Sequence, residues 1–302
     1  MRVGIIGMGW VGSSVAISTL HEGLARELWL HDRRPDLADG EAMDLAQGAS
    51  FYPSADVRCA EIEEMRDCDV VVIAAGKGGR PEQSRLDLLR ENASIVRDIA
   101  TELRGGRATI VVVTNPVDVL THVVWRASGL PPERVIGTGT MLDTARLRQM
   151  IGRELAIDPR SVHAHVLGEH GDSEVVAWSA ANVGGVSLRS APGWASERET
   201  AIAAEVRTAA YEIIRRKGAT NHAIGLVTAH LLGSLLRDER RVLTASRVHD
   251  GSVGLGGEVA LSLPVVVGRE GATRVLSPSL DAKERAGLER SAEVLRAAIA
   301  SL

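Results

Sequence analysis

His170 has the surroundings most typical of a residue that transfers protons. It lies in "VLGEHGDSE", residues 166–174, with glycines at positions 168 and 171. A histidine needed only for packing is rarely flanked by so many turn-forming and polar residues, and imidazole gains and loses a proton near neutral pH. The pattern predicts a turn between an apolar strand and a helix that begins near Ser173, with His170 as a general acid and base.

Asp143 and Arg146 lie upstream in "GTGTMLDTARLR", residues 137–148. Residues three apart on a helix share one face. A carboxylate can hold an imidazole and stabilise its charged form, and a guanidinium can bind a substrate carboxylate through two parallel hydrogen bonds. Each residue alone is compatible with an ordinary structural role. Their combination with His170 indicates a catalytic site.

A charged loop, "AGKGGRPEQSR", residues 75–85, follows the apolar run "DVVVIAA". Glycines and cations directly after a strand are typical of a flexible segment that closes over an anionic ligand. The loop ends at Arg85, which makes this residue a candidate for contact with the ligand.

Gly7, Gly9 and Gly12 in "GIIGMGWVGSS" have the G-x-G-x-x-G spacing between a predicted strand and a predicted helix. Glycines there allow a tight turn and let backbone N–H groups approach a pyrophosphate at the helix N-terminus. Asp32, at the end of "LWLHD", can accept hydrogen bonds from the adenine ribose. Together these features predict a dinucleotide, and Asp32 favours NAD because it repels a 2′-phosphate. The two arginines that follow Asp32 could soften this preference, but solvated surface positions explain them better.

The elements that position these residues alternate between strands and helices in the first half of the chain. The apolar runs "RVGIIG", "ELWLHD", "DVVVIAA" and "TIVVVTNP" predict an α/β fold with a Rossmann-type doubly wound parallel sheet. After about residue 140, long helices such as "RETAIAAEVRTAAYEIIRRKG" precede short strands in "VALSLPVVVG" and a helix from Asp281. We expect an NAD-binding domain over residues 1–140, an α+β catalytic domain over residues 141–302, and a ligand cleft between them.

The composition argues against several other classes of protein. A net charge of −4 and a content of one Phe and two Tyr leave little for nucleic acid to bind. The longest apolar run, residues 70–75, is too short to span a membrane, and the N-terminus shows no secretory signal, so we expect a cytoplasmic protein without a membrane partner. Cys59 and Cys68 have neither metal-ligand nor redox spacing, which predicts free, buried or half-buried thiols and no bound metal.

Along essentially its whole length, the chain resembles the L-lactate and malate dehydrogenases, together with the L-2-hydroxyisocaproate dehydrogenases. The resemblance rests on "GMGWVGSS", "VVVTNPVDVLT", "GTGTMLDTARLR", "SVHAHVLGEHGDSEV" and "AAYEIIRRKGATNHAIGL". It implies NADH-dependent, reversible reduction of a 2-oxo acid to the L-2-hydroxy acid. The stretches "KGATNHAIGL" and "GEHGDSEV" are most similar to the bacterial L-lactate enzymes.

The same resemblance implies a role for each candidate residue. His170 donates and accepts the proton, Asp143 is its partner, and Arg146 binds the substrate carboxylate. Arg85 closes with the mobile loop and polarises the reacting carbonyl. The other expected substrate-binding residues are Asn115, Thr220 and Gly79. The other expected cofactor contacts are Val11, Gly76, Val113, Asn115 and Thr138.

Two more residues match an effector site of this family. In bacterial lactate dehydrogenases that respond to fructose bisphosphate, an arginine and a histidine hold the phosphates across a subunit interface. Arg148, two residues after Arg146, and His163, seven residues before His170, occupy those positions. The resemblance thus implies a homotetramer that fructose bisphosphate can regulate. The alternative is an exposed helical arginine and a strand histidine with no effector.

Gly79 departs from the family pattern at the position that selects the substrate. Lactate enzymes usually carry Gln there and malate enzymes Arg. A glycine adds no charge that could pair with a second carboxylate, and it leaves space for a larger 2-oxo acid. Arg80 could nevertheless swing inward and bind oxaloacetate. Pyruvate is the favoured substrate, with oxaloacetate and bulkier 2-oxo acids as alternatives.

Two functions from other classes share the predicted nucleotide domain. An NAD-dependent glycoside hydrolase needs a metal bound through Cys and His, and neither cysteine lies near the motifs above. A nucleotide sensor without catalysis does not need His170, Asp143, Arg146 and Arg85 together. The sequence therefore favours a dehydrogenase over both.

Overall fold

The computed structural model describes residues 1–78, 85–251 and 254–302, with the side chain of Arg85 left out. Gly79 and Arg80, at which the sequence analysis placed substrate selection, lie outside the described residues. Within the described parts of the chain, strands and helices alternate through the first half, as the apolar runs predict.

The predicted parallel sheet is present. Its strands are β1 (Arg2–Ile6), β2 (Glu27–His31), β3 (Asp56–Cys59), β4 (Val70–Ile73), β5 (Thr109–Val112) and β6 (Val135–Gly137). They pair side by side in the order β3-β2-β1-β4-β5-β6, all parallel. This is the doubly wound order, in which ligands bind outside the carboxyl ends of the strands, where the order reverses between β1 and β4.

Four helices cover the two faces of this sheet. They are α1 (Trp10–His21), α2 (Pro35–Gln47), α3 (Arg85–Glu102) and α4 (Val117–Ser128). Successive side chains of a strand point to opposite faces. Val70 and Val72 of β4 are buried with residues of α1, whereas Val71 and Ile73 are buried with residues of α3 and α4. Each aliphatic side chain so buried stabilises the fold by about 1.5–3 kcal/mol.

The second half of the chain is a mixture of helices and mostly short strands. Its elements are α5 (Met141–Leu155), β7 (Val162–His163), β8 (Val166–Leu167), β9 (Val175–Val176), β10 (Asn182–Val183), β11 (Val186–Ser187), α6 (Arg198–Lys217), α7 (His222–Leu236), β12 (Arg241–His249), β13 (Val259–Gly268), β14 (Gly271–Val275) and α8 (Ala282–Ala300). Short 3-10 helices cover Ile62–Asp67, Pro132–Arg134, Pro159–Ser161, Trp178–Ala180 and Leu188–Ser190.

Two long helices end or begin where their sequences predict. Helix α6 stops at Gly218, whose φ of +85° lies in the left-handed region that glycine adopts without strain. Helix α8 begins after Asp281, whose carboxylate accepts hydrogen bonds from the backbone N–H groups of Lys283 and Glu284, both at 2.9 Å.

The structure differs from the sequence analysis in the strands of the second half. The expected short strands of "VALSLPVVVG" are one strand, β13, of ten residues. Strands β12, β13 and β14 are antiparallel and extend the first sheet, because Ser246 of β12 pairs with Gly137 of β6. In the described structure nine strands therefore form one sheet, and the domain boundary near residue 140 stays a prediction.

The expected helix near Ser173 is also wrong. The backbone N–H and the hydroxyl of Ser173 both donate to Glu169 Oε2, at 3.1 and 2.5 Å, and close a turn. Val175 then pairs with Leu167. The segment is therefore a β-hairpin of β8 and β9, because local side-chain hydrogen bonds and strand pairing take up the groups that a helix would need.

Both cysteines have the environments expected of free thiols. Cys68 is fully buried and Cys59 is half-buried, and each is unpaired. No helix among the described residues combines the length and the apolar character that a bilayer crossing requires.

Candidate active site

The expected cofactor-binding residues lie at one edge of the parallel sheet. Each follows a strand by one to three residues: Gly7 after β1, Asp32 after β2, Gly76 after β4, Val113 after β5 and Thr138 after β6. The carboxyl ends of parallel strands meet at the same edge, so the fold brings these residues together. Val11 lies in the first turn of α1, beside the same edge.

The turn between β1 and α1 is packed so tightly that two of its glycines cannot be replaced without movement. Gly7 has a φ of +97°, and a Cβ built on Gly12 would lie 1.9 Å from the carbonyl oxygen of Gly7. A Cβ on Gly9, by contrast, would meet nothing within 4 Å. No described side chain caps α1, so the N–H groups of its first turn have no side-chain acceptor at the N-cap. A pyrophosphate can accept hydrogen bonds from them.

The carboxylate of Asp32 lies against this turn. Its Oδ2 accepts a hydrogen bond from the backbone N–H of Met8 at 2.9 Å, and its Oδ1 accepts one from the backbone N–H of Arg34 at 3.0 Å. These bonds fix a negative charge at the edge where the ribose of a dinucleotide is expected. The residues present therefore fit NAD.

His170 occupies the tip of the β8–β9 hairpin, and Asp143 and Arg146 lie one turn apart in α5. His170 Nδ1 lies 2.5 Å from Asp143 Oδ2, and Arg146 Nη1 donates to Asp143 Oδ1 at 2.8 Å. The side chains of Asp143 and Arg146 are 3% and 13% exposed, and that of His170 is 24% exposed. One buried carboxylate thus holds both an imidazole and a guanidinium.

This arrangement changes the proton affinity of both partners. Burial lowers the pKa of His170, but the charge of Asp143 and its hydrogen bond outweigh that effect and raise the pKa to about 9. Burial acts to raise the pKa of Asp143, but the charges of His170 and Arg146 lower it overall. At neutral pH the pair is therefore imidazolium and carboxylate.

The hairpin that carries His170 is anchored on the second half of the chain. Gly168 and Ser262 of β13 exchange two backbone hydrogen bonds, both of 2.9 Å. The backbone N–H of Glu169 donates to Ser291 Oγ of α8 at 2.7 Å. The position of the imidazole thus depends on β13 and α8 as well as on α5.

Two buried carboxyl groups beside His170 did not emerge as site residues from the sequence. Asp118 Oδ2 accepts the backbone N–H of His170 at 2.7 Å, and Asp118 is 2% exposed. Glu174 is 6% exposed, and burial, together with the charge of Asp143, raises its pKa to about 8. Asp118 stands in "TNPVD" and Glu174 in "GEHGDSE", so both lay inside quoted motifs. Their burial, which makes them informative, is a property of the fold.

Asn92 of α3 is a third residue that the sequence did not indicate. Its Oδ1 accepts the backbone N–H of Lys77 at 2.8 Å, and its Nδ2 donates to the carbonyl of Asn115 at 3.0 Å. This 2% exposed amide joins the start of the charged loop to the segment that carries Asn115. A lone Asn inside a helix gives no sequence signal for such a role.

The remaining substrate candidates lie around the same edge. Asn115 is exposed directly before α4, and its Oδ1 accepts the N–H of Val117 at 3.2 Å. Thr220 lies in the connection between α6 and α7, and its neighbour Asn221 donates to Ser14 of α1 at 3.0 Å. Arg85 is the first residue of α3, and its side chain is outside the description.

Arg148 of α5 contacts the segment that follows His163. Arg148 Nε donates to the carbonyl of Ala164 at 3.1 Å, next in the chain to His163, which is exposed. Burial lowers the pKa of the neighbouring His165 to about 4, and the charges of Arg148 and His163 add to this effect. Three basic side chains thus share one region beside β7.

Two family models match nearly the whole chain. The lactate/malate dehydrogenase NAD binding domain matches residues 1–137, and the lactate/malate dehydrogenase alpha/beta C-terminal domain matches residues 140–302. The chain belongs to the lactate/malate dehydrogenase family. The family resemblance drawn from the sequence motifs is therefore confirmed.

Individual relatives of this lactate/malate dehydrogenase chain are similar over their full lengths. L-lactate dehydrogenase of Kosmotoga olearia is 45% identical, with 100% of this chain and 96% of the relative covered. That of Moorella thermoacetica is 44% identical, with 100% and 97% covered. The ligand-bound crystal structure of a minor L-lactate dehydrogenase from Enterococcus mundtii superposes with a TM-score of 0.96 at 39% identity, covering 100% of this chain and 98% of that one.

The β1–α1 turn gives a stability test with a matched control. Gly12→Ala should destabilise the protein by about 1–3 kcal/mol, because its Cβ overlaps the carbonyl of Gly7. Gly9→Ala should change stability by less than about 0.5 kcal/mol, because its Cβ meets open space. Thermal unfolding of the two variants without NADH checks this, and equal melting temperatures would contradict it.

Proposed function

We propose that this protein is an NADH-dependent L-lactate dehydrogenase that reversibly reduces pyruvate to L-lactate. The observation that carries the proposal is the buried carboxylate of Asp143, bound at once to the imidazole of His170 and to the guanidinium of Arg146. Several full-length relatives are L-lactate dehydrogenases, and this similarity supports lactate, rather than another 2-hydroxy acid, as the product of this protein. Membership of this family also favours a dehydrogenase over the glycoside hydrolase and the sensor.

When bound, NADH supplies the hydride that is added to C2 of the 2-oxo acid. Asp143 engages Nδ1 of His170, so the proton exchanged with the substrate oxygen is the one on Nε2. The raised pKa of His170, about 9, keeps the ring charged at neutral pH, as reduction requires. Oxidation of L-lactate uses the neutral ring, which takes the proton back.

The remaining roles are those that the family resemblance implies. Arg146 donates a hydrogen bond from one guanidinium nitrogen, Nη1, to Asp143. Its other guanidinium nitrogens bind the substrate carboxylate. Arg85, at the start of α3, polarises the reacting carbonyl. Asn115 contacts substrate and nicotinamide, and Thr220 lines the floor of the pocket.

The acid–base assignment makes a pH prediction. Pyruvate reduction by the wild type should fall as pH rises through about 9, because His170 then loses its proton. Asp143→Asn should move this fall to lower pH, since it removes the charge that raises the pKa of His170. Profiles of kcat/KM against pH test this. His170→Asn should abolish turnover while still binding NADH, and turnover within a few-fold of wild type in that variant would refute the assignment.

Substrate selection depends on Gly79 and its neighbour Arg80. We expect kcat/KM of the wild type to be highest with pyruvate, compared with oxaloacetate and 2-oxoisocaproate. Gly79→Arg should raise kcat/KM for oxaloacetate by about one to two powers of ten, because a guanidinium can pair with the second carboxylate. Gly79→Gln should favour pyruvate. A wild-type preference for oxaloacetate that disappears in Arg80→Ala would show a malate dehydrogenase instead.

A homotetramer goes with this proposal. Large apolar side chains are exposed on three helices: Trp10 (61%) and Ile17 (50%) on α1, Met43 (64%) on α2 and Leu226 (63%) on α7. Helices α1 and α2 are joined by a 2.7 Å hydrogen bond from Ser13 to Glu41, and α1 packs closely on α7. Apolar patches of this kind are typical of subunit contacts. We also propose a cytoplasmic location, in which the free thiols of both cysteines are stable.

Fructose bisphosphate is the proposed effector at Arg148 and His163. An anion that bridges two subunits there would favour both the tetramer and substrate binding, since linkage is reciprocal. At millimolar concentration it should lower the pyruvate concentration needed for half-saturation and shift sedimentation towards the tetramer. Arg148→Gln should lose both effects, while Arg153→Gln, at an exposed position of the same helix, should keep them. Unchanged saturation and sedimentation in the wild type would disprove the site.

A further inference from the structure

Asp118 binds the catalytic turn through the backbone of His170. It lies in the first turn of α4, three residues after Asn115, and its Oδ2 accepts the backbone N–H of His170 at 2.7 Å. Helix α4 belongs to the nucleotide half of the chain, whereas the hairpin that carries His170 belongs to the other half. This hydrogen bond therefore joins the two halves at the proton-transfer residue.

The second carboxylate oxygen of Asp118, Oδ1, is buried and has little hydrogen bonding to offset the cost of burial. Among the described residues, Oδ1 accepts no hydrogen bond of good geometry, although the hydroxyl of Ser246 on β12, which also lacks a well-formed hydrogen bond, acts on the carboxylate. A buried carboxylate with few hydrogen bonds exerts a strong field on neighbouring charges, because the protein interior screens charge weakly. Burial raises the pKa of Asp118 to about 6, although the side chain of Ser246 and the backbone N–H of His170 oppose the rise. The group is still mainly ionised at neutral pH.

Other charged groups lie around the turn and act on His170, Asp118 or Glu174. The described groups are Asp143 and Arg146 on α5, Glu169 and Glu174 on the hairpin, and Arg207 on α6. Asp143 binds the ring directly and has the largest favourable effect on its charge. The charge of Asp118 also raises the pKa of His170, whereas the charge of Arg146 lowers it.

We propose that Asp118 is a positioning residue for proton transfer, which fixes the backbone of His170 and stabilises the charged form of its ring alongside Asp143. The inference rests on the proposed function. In reduction His170 gives its Nε2 proton to the substrate oxygen and becomes neutral, so Asp118 stabilises the state that precedes transfer. In oxidation the ring must first be neutral, so the same charge disfavours the active form at low pH.

The two contributions can be separated by substitution. Asp118→Asn keeps an acceptor oxygen for the His170 N–H and removes the charge. The alkaline fall of pyruvate reduction and the acid fall of lactate oxidation should both move to lower pH by about one unit. Asp118→Ala removes both contributions and should also lower kcat about tenfold, since the buried N–H loses its acceptor. Asp44→Asn, at an exposed position of α2, is the control and should leave both profiles unchanged.

Asp118→Glu keeps the charge and displaces the acceptor. It should lower kcat without moving either profile, which also provides a test if Asp118→Asn does not fold. A profile shift in Asp118→Glu, or an Asp118→Asn profile that coincides with wild type, would overturn the proposal.

A readout that needs no substrate distinguishes this proposal from the proposed function. The pH dependence of carbethoxylation of His170 by diethyl pyrocarbonate, followed by peptide mass spectrometry, reports the ionisation of the ring directly. The midpoint should lie about one unit lower in Asp118→Asn. If the wild type does not reduce pyruvate but this midpoint shifts, the proposed function fails and the role of Asp118 stands. If pyruvate is reduced and the midpoint is unchanged, the role of Asp118 fails.

Discussion

The site depends on one buried carboxylate, Asp143, which is bound to two cations. A carboxylate that is 3% exposed is costly to bury unless its lone pairs are used and its charge is balanced. His170 and Arg146 meet both needs, and in return each is held at a fixed distance from the other. The proton donor and the anion-binding group are thus oriented by the same interaction. Breaking either contact leaves a charge uncompensated in the interior.

Around this carboxylate, the fold gathers parts of the chain that are distant in sequence. The parallel strands place the Gly-rich turn, Asp32 and Asn115 at one edge, since each follows the carboxyl end of a strand. The second half adds α5 and the β8–β9 hairpin, and β12 joins β6 to make the sheet continuous. Nucleotide binding and proton transfer therefore share one rigid support. The hydrogen bond from the backbone N–H of His170 to Asp118 joins the two halves of the chain at the site.

The parts of this molecule that the sequence could predict are those set by local rules. Short apolar runs predicted β1, β2, β4 and β5, which are strands of four or five residues, and the glycine spacing predicted the turn after β1. The helix expected near Ser173 was wrong, because the competing bonds to Glu169 depend on how the turn closes. Asp118, Glu174 and Asn92 could not be singled out, since their importance comes from burial and from contacts between distant segments. The pairing of β12 with β6 has no local signal either.

The anchoring of the hairpin has a consequence for synthesis of the chain on the ribosome. Domains fold largely in the order in which they emerge, so the β1–β6 sheet can form early. The turn that carries His170 is tied to Ser262 and Ser291, which are synthesised well after it. A nascent chain can therefore fold its nucleotide half while its catalytic turn is still unanchored. His170 is held in place only once β13 and α8 have emerged and packed against this turn.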